Sequence, residues 1–235
     1  MAENKMEDGI DVKNTNRRNR IKVFNKNRVE NLTDAIFAFS MTLLVTTLAI
    51  PDATTFTSAL QIDSVILQIL PDIMNYFIAF VLIATFWYIH HLRFHYLRSI
   101  DSFLIIVNVI LLSFVALMPF TAHLVASFPL SFSTQIIFEL NLLVIGILTA
   151  LQWEYMVCKP LHLTDPEDLP DIIANRTKTL VFPFLSVIGI GLAMIHVPRS
   201  AFVYLFVPLF IWIIDLRRKK EADKKIDRTN FMQRI

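Results

Sequence analysis

The chain has 235 residues, of which 55% are apolar and only 18% are charged, and its mean hydropathy is positive at +0.55. The net charge of +2 is small, but the charges are concentrated in short segments between long apolar runs, which excludes an ordinary soluble domain and indicates a membrane protein. The single cysteine, Cys158, excludes an intrachain disulfide framework.

The two ends of the chain are polar and basic. We expect residues 1–27 to be a cytoplasmic tail without a cleaved signal peptide, because the segment lacks an apolar core. Its charges are mixed and unpatterned, which argues against binding nucleic acid. Residues 217–235 are predicted to be a cytoplasmic basic extension whose partners are anionic lipid headgroups of the membrane.

Six apolar segments predict an all-α integral membrane protein with six transmembrane helices. Residues 28–216 are predicted to form one transmembrane domain. The expected spans are 32–50, 69–89, 103–124, 134–157, 180–197 and 201–216. Residues 51–72, between the first two spans, predict a short helix at the outer membrane surface. The segment that follows the fourth span predicts an amphipathic cytoplasmic helix that starts near Asp165.

The basic residues predict the orientation of the spans. With both termini in the cytoplasm, 21 of the 22 Lys and Arg residues lie on the inner side and only Arg199 lies outside. Arg93 and Arg98 are counted here as residues of the inner loop between the second and third spans. The asymmetry predicts that both termini are cytoplasmic.

The first span differs from a plain membrane anchor because it carries hydroxyl groups. At about 100° per residue, Phe39, Leu43, Thr46 and Ile50 fall on one helical face, whereas Thr33, Ser40 and Thr47 point elsewhere, toward neighbouring helices. A mixed apolar and hydroxyl stripe of this kind is typical either of a helix interface or of a pore wall. No TVGYG carbonyl filter is present, so ion selection would depend on side chains or on a different backbone.

Polar side chains of the first three spans meet at the inner membrane surface. They are Arg28, Thr33 and Asp34 of the first span, Trp87 and His90 of the second, and Asn108 of the third. Burying such groups is costly unless they are paired, so we expect a polar network that holds or gates the first helix. The alternative is ordinary anchoring of Trp and His at the membrane interface.

Catalytic and metal-binding patterns are absent from the sequence. There is no GxSxG or HExxH pattern, no glycine-rich phosphate loop and no pair of carboxylates within a span. His91 and His95 are four residues apart without a nearby carboxylate pattern, so we expect neither a metal nor a cofactor nor an enzyme. Glu139, in the outer part of the fourth span, is interpreted as a carboxylate at the outer interface, and the alternative is that it faces a partner or water.

Three segments resemble one known family. RVENLTDAIF, residues 28–37, resembles the R-x-x-x-F-S-D signature that opens the first helix of the transmembrane protein 175 family, with Leu32 and Thr33 in place of Phe and Ser. FWYIHHLRF, residues 86–94, resembles the tryptophan–histidine segment that ends the second helix of the family. DSFLIIVN (residues 101–108) and LMPFT (residues 117–121) resemble its third helix.

This resemblance implies a potassium-permeable cation channel in the cell membrane, in the single-repeat form found in prokaryotes. Four subunits would surround a central pore lined by their first helices. Phe39 occupies the position of the tightest hydrophobic ring, where the family usually has Ile or Leu, and Leu43 and Thr46 would be the next positions to face the pore. The alternative is that Phe39 packs between subunits. Thr42 corresponds to a position that carries a hydroxyl ring in some members.

The resemblance also assigns Arg28, Asp34, His90 and Asn108 to the network that supports the first helix. A secondary transporter of a small ion or solute is the alternative function. That function requires broken helices around a polar site at the middle of the membrane. Pro119, Pro183 and Pro208 lie in spans, but no charged residue accompanies them there.

Overall fold

The computed structural model describes residues 25–48, 59–195, 200–207, 209–214 and 216–217, and the fold in these ranges is all-α. The helices are α1 (Lys26–Leu43), α2 (Ala59–Tyr96), α3 (Ser102–Ser127), α4 (Phe132–Cys158), α5 (Pro160–Leu163), α6 (Leu169–Thr179), α7 (Val181–Met194) and α8 (Phe202–Ile214). Tighter 3₁₀ turns extend α1 over Leu44–Thr47, precede α6 over Pro166–Asp168, and open α8 over Ser200–Phe206.

Five segments of the described chain are long and apolar enough to cross a membrane. They are Lys26–Thr47, Ile69–Tyr96, Ser102–Ser127, Phe132–Cys158 and Pro166–Met194. The apolar helix α8 is shorter and lies where the sixth span is predicted. The chain is therefore a membrane protein. The predicted tails lie outside the described residues, except for residues 25–27 and 217.

Helix α2 differs from the prediction at both of its ends. The helix predicted over residues 51–72 is not a separate element, because residues 59–72 are continuous with the second span, while residues 51–58 lie outside the described part of the chain. Its position at the outer membrane surface stays a prediction. Pro71 lies inside this helix. A proline inside a helix removes one backbone hydrogen bond and its ring crowds the carbonyl four residues earlier, yet the helix continues across Pro71. At its other end α2 continues to Tyr96, seven residues beyond the predicted end at Ile89.

The helix predicted to begin near Asp165 is present as a 3₁₀ turn followed by α6. Pro166 and Pro170 occupy early helical positions, where a proline costs little because the missing N–H has no partner within the helix. Only Leu180 separates α6 from α7. The two helices together form the fifth membrane-length segment.

The core of the bundle is formed by α3 and α4, which pack along each other. α1 packs on α2 and α3, while α7 packs on α4, and α8 lies against α7 and α2. Gly146 of α4 permits the close approach of α7, since a Cβ atom there would be 2.8 Å from Cδ of Pro183. α1 thus lies at the edge of the bundle, with one face against its own chain.

One end of the bundle holds the start of α1, the end of α2 and the start of α3, and we call it the base. At the base, Asp101 caps α3 by accepting a hydrogen bond from the backbone N–H of Leu104 at 3.0 Å. Tyr155 of α4 donates its hydroxyl to the same carboxylate at 2.5 Å. The exposed Lys159 donates to the Tyr155 hydroxyl at 3.1 Å, and this bond raises the pKa of the Lys159 ammonium.

Candidate functional site

The face of α1 that packs against the rest of the chain combines apolar and hydroxyl side chains. Thr33, Phe37, Ser40 and Leu44 are each no more than 1% exposed, and they recur at the spacing of one helical face. The two hydroxyls do not need external partners as donors, because Thr33 donates to the carbonyl of Val29 and Ser40 to that of Ile36, both at 2.8 Å. As the sequence predicts, Thr33 and Ser40 point toward neighbouring helices.

The opposite face of α1 is not covered by this chain. Phe39 is 63% exposed, and Thr42 and Thr46 are also exposed, whereas Leu43 is half-buried at the margin of this face. These four residues are the ones predicted to line a pore, and Ile50 lies outside the described residues. Phe39, Thr42 and Thr46 form a continuous stripe, which we call the open stripe of α1.

The threonine hydroxyls of the open stripe donate their protons to α1 itself and leave their oxygens free to accept. Thr42 donates to the carbonyl of Phe39 at 2.8 Å, and Thr46 donates to that of Leu43 at 2.7 Å. Since a hydroxyl has a single proton, the remaining lone pairs of Oγ1 are left to accept. The open stripe therefore presents oxygen acceptors rather than donors.

The far end of α1 is tied to α3. Residues Leu44–Thr47 tighten into a 3₁₀ turn, and the carbonyl of Thr47 lies 3.2 Å from Nδ1 of His123. Because a carbonyl can only accept, this nitrogen carries the proton. His123 thus holds the end of the 3₁₀ turn in place.

At the base, a chain of hydrogen bonds connects α1 to α3 and α2. Asn108 of α3 donates its amide to the Thr33 hydroxyl oxygen at 2.9 Å, and the amide oxygen accepts from Nη2 of Arg93 at 3.2 Å. The same Nη2 is 2.9 Å from Nδ1 of His90. All four side chains are at most 3% exposed. We call them the polar chain.

A second contact fixes α1 beside the polar chain. The indole N–H of Trp87 donates to the carboxylate of Asp34 at 2.9 Å, and both side chains are half-buried. The structure thus brings five of the six predicted network residues into two linked contacts with α1. The sixth, Arg28, lies on the exposed side of α1, and no hydrogen bond joins it to these contacts among the described residues.

The guanidinium group of the polar chain belongs to Arg93, which sequence reasoning assigned to a loop. The signal that could have found it is the helical period: Ile89, His90, Arg93, Phe94 and Leu97 follow the spacing of one buried face. A guanidinium in a membrane-length helix is costly to bury. Within the described residues, no carboxylate lies within 4.0 Å of Arg93, and its Nε and Nη1 atoms have no hydrogen-bond partner.

Glu139 is not a carboxylate at the outer interface, so that prediction is wrong. It is fully buried, and it accepts a hydrogen bond from the hydroxyl of Tyr204 on α8. Tyr204 is also 3.0 Å from the hydroxyl of the buried Ser186 on α7. A glycine at position 189 leaves the space that the Glu139 carboxylate occupies. The carboxylate thus lies among three helices instead of at the surface.

The described residues contain no group of three His, Cys, Asp or Glu side chains that could hold a metal ion. His91 is instead 4.0 Å from the carboxylate of Glu30 and stacks on Trp87, and His95 contacts the ring of Tyr96. The two histidines are therefore engaged with neighbouring side chains.

Comparisons with known proteins agree on one family. The sequence model of the family described as endosomal/lysosomal potassium channel TMEM175 matches residues 28–119, which include α1, the polar chain and most of α3. Two curated potassium channels are similar over most of their length. One from Chryseobacterium sp. (strain P1-3) is 22% identical over 85% of this chain and 98% of its own, and one from Streptomyces collinus is 25% identical over 74% and 84%.

Solved structures support the fold. A TMEM175 homologue from Chamaesiphon minutus superposes with a TM-score of 0.66 at 22% identity, covering 82% of this chain and 97% of that chain. The potassium channel MtTMEM175, solved with a nanobody–MBP fusion, gives 0.55 at 18% identity, with coverages of 87% and 96%. The resemblance expected from the sequence segments is confirmed.

Proposed function

We propose that this chain, whose residues 28–119 match the sequence model of the TMEM175 family, is a potassium-permeable cation channel. Four copies would assemble in the cell membrane with the base of the bundle facing the cytoplasm. The open stripe of α1 from each copy would line a central pore. The family relationship supports the channel function, and the arrangement of α1 supports its place in the channel.

The observation that carries this proposal is the uncovered face of α1. A membrane helix that faces lipid alone is expected to present apolar side chains, whereas the open stripe places two exposed threonine oxygens beside Phe39. Polar groups in a membrane are normally turned toward a protein interior or a water-filled cavity. In a closed ring of four subunits, this face would be turned toward such a cavity.

The chemistry of the open stripe favours cations. The protons of Thr42 and Thr46 are committed to carbonyls of α1 itself, so the oxygens offer lone pairs to a passing ion. Oxygen acceptors can replace part of the hydration shell of a potassium ion but not that of an anion. A ring of four such oxygens at each level would therefore select by charge without a carbonyl filter.

Phe39 would form the hydrophobic constriction. Its ring is the largest apolar group of the open stripe, and it lies one turn from Thr42 toward the base. Four phenyl rings at one level would hinder wetting of the pore, so that conduction would depend on their separation. The faces of the rings could also attract a partly dehydrated cation. Leu43, at the margin of the stripe, would pack between adjacent subunits or extend the constriction.

The contacts at the base would keep α1 in register. Thr33 and Asp34 are adjacent in the sequence, and each is held by a different helix, through Asn108 and Trp87 respectively. Two contacts about 100° apart on one helix oppose rotation as well as sliding. These two contacts would keep the open stripe turned toward the pore axis.

Potassium flux into proteoliposomes tests the proposal. Purified protein is expected to support a flux of K⁺, and the combined variant Phe39→Ala and Leu43→Ala is expected to increase it by widening the constriction. Phe120→Ala, which removes a phenyl ring of α3 that is 56% exposed, is the matched control and should leave the flux unchanged. A flux that is unchanged by the combined variant would contradict the assignment of the constriction. Saturable, proton-coupled uptake would instead indicate a secondary transporter.

A further inference from the structure

We propose that Arg93 is a positioning residue for the ion path and that it acts on α1 through the amide group of Asn108. The inference rests on the function proposed above, which gives α1 its role. Arg93 does not contact α1 through any hydrogen bond of the described residues, and it lies on the side of α1 away from the open stripe.

The donors and acceptors of the polar chain allow only one arrangement. The proton of the Thr33 hydroxyl is committed to the carbonyl of Val29, so Oγ1 of Thr33 is left to accept. At the other end, the guanidinium of Arg93 can only donate. Asn108 lies between the two, and only one of its two amide orientations places the N–H group toward Thr33 and the oxygen toward Arg93. Arg93 therefore determines which way the amide faces.

His90 defines the position of the guanidinium. Its Nδ1 and Nε2 atoms lie 2.9 and 3.2 Å from Nη2 of Arg93, so the ring of His90 lies against this end of the guanidinium. The ring of Phe94 contributes a second restraint, since the Arg93 Cζ atom lies 5.2 Å from its centroid. A guanidinium held in this way presents Nη2 to Asn108 in one direction.

Without Arg93, no guanidinium donor would hold the amide oxygen of Asn108 in its present orientation. The inverted amide would turn its oxygen toward Oγ1 of Thr33, and two acceptors would then face each other. Thr33 could then bond to the inverted amide only by turning its hydroxyl away from the carbonyl of Val29, so the contact between α3 and α1 would be weakened whenever the amide is inverted. α1 would retain only the contact between Trp87 and Asp34 at the base, so that its rotation would be less restrained.

The charge of Arg93 argues for the same role. A buried cation that lacks a carboxylate partner is expected to reduce stability, and an apolar residue of similar volume is often more stable at such a position. Arg93 is 2% exposed, and its Nε and Nη1 atoms have no hydrogen-bond partner among the described residues. A group that costs stability and orients a contact of the pore helix fits a role in positioning better than a role in holding the fold together.

A double-mutant cycle tests the inference, because Arg93 and Thr33 share Asn108 without touching. The variants are Arg93→Leu, Thr33→Val and their combination, measured as K⁺ flux and as thermal unfolding of the full-length protein. Each single variant should lower the flux about tenfold, and the combination should lower it no further, since both break the same chain. Arg93→Lys, which keeps a donor, should restore most of the flux.

Thr149→Val provides the matched control for the cycle. Thr149 is buried on α4 and donates to the carbonyl of Ile145 at 2.8 Å, outside the polar chain. If Thr149 and Arg93 act independently, the combined variant should show the product of the two fold-changes in flux and the sum of the two changes in unfolding free energy. If Arg93→Leu and Thr33→Val are as independent of each other as the control pair, the inference is wrong.

Asn108→Asp separates positioning from a purely structural role. The new carboxylate would pair with Arg93, so the melting temperature should rise by about 2–4 °C. The carboxylate would present only acceptors to Thr33, so the flux should fall about tenfold despite the higher stability. A variant that keeps its flux, or one that melts at a lower temperature, would overturn the inference. Absence of flux from the unaltered protein would refute the channel function instead, and the unfolding measurements would still decide the role of Arg93.

Discussion

The Cα atom of Gly189 on α7 lies against the carboxylate of Glu139 on α4, with no room for a methyl group between them. The carboxylate is fully buried and also contacts Tyr204 of α8. Three helices of the second half of the bundle therefore meet at one acidic side chain. A glycine is required on α7 because the carboxylate occupies the volume of a Cβ atom.

We expect Gly189→Ala to destabilise the protein by about 1–3 kcal/mol, because the added methyl group displaces a buried carboxylate. Gly191→Ala is the control on the same helix. A Cβ atom at position 191 meets nothing within 4 Å, and alanine is the better helix former by about 1 kcal/mol. In thermal unfolding in detergent, the melting temperature should fall for Gly189→Ala and rise for Gly191→Ala. Equal changes in the two melting temperatures would contradict the packing at Gly189.

Trp87→Phe should weaken the footing of α1. The substitution keeps an aromatic ring but removes the indole N–H that donates to the Asp34 carboxylate at 2.9 Å. We expect the free energy of unfolding to fall by about 1–2 kcal/mol. The variant should also lower K⁺ flux, since α1 would be less restrained in rotation. Trp212→Phe, at a position 58% exposed on α8, should change neither the melting temperature nor the flux. A Trp87→Phe protein with unaltered melting and flux would show that the contact does not hold α1.

Thr42→Val tests the oxygen acceptors of the open stripe. The change is nearly isosteric and removes the hydroxyl oxygen, so K⁺ flux should fall several-fold while stability stays within about 0.5 kcal/mol. Thr85→Val is the comparison, because Thr85 makes the same type of bond, to the carbonyl of Val81, on α2. Equal losses of flux from both variants would point to a general effect on helices rather than to an ion path along α1.

Asp101→Ala should remove two interactions at once, the cap of α3 and the hydrogen bond from Tyr155. We expect a loss of about 2 kcal/mol in the free energy of unfolding. The control is Asp165→Ala, which removes an exposed ion pair with Arg98 at 3.5 Å and should cost less than about 1 kcal/mol. The two melting temperatures should therefore differ by several degrees, and an equal decrease would contradict the role of the cap.

The sequence predicts much of the fold and part of the candidate site. Apolar runs locate the membrane-length helices, because their length and composition are local properties. Helical spacing alone separates Thr33 and Ser40 from Phe39 and Thr46, and the structure has the first pair buried and the second exposed. The surroundings of Phe39 and Thr46 depend on other subunits. Their exposure to a pore therefore remains a prediction.

Two residues show where sequence reasoning fails. Arg93 was assigned to a loop because a charge usually marks the end of a span, yet α2 continues past it to Tyr96. Glu139 was assigned to the outer interface because it lies in the outer part of the fourth span, although a glycine 50 residues away makes room for it in the interior. In both cases a partner from another helix is involved, Asn108 of α3 for Arg93 and Tyr204 of α8 for Glu139, and hydropathy along one segment contains no information about such partners.

The central claim is that the open stripe of α1 lines the ion path, and cysteine accessibility tests it most directly. Cys158 is the single native cysteine and is exposed, so Cys158→Ser provides a background free of thiols. In this background Phe39→Cys, Thr42→Cys and Thr46→Cys are compared with Phe37→Cys and Ser40→Cys, which report the buried face. A cationic methanethiosulfonate reagent is applied during K⁺ flux. The reagent should block flux at positions 39, 42 and 46 and leave it unchanged at 37 and 40. Equal inhibition on both faces, or none on the open stripe, would contradict the assignment.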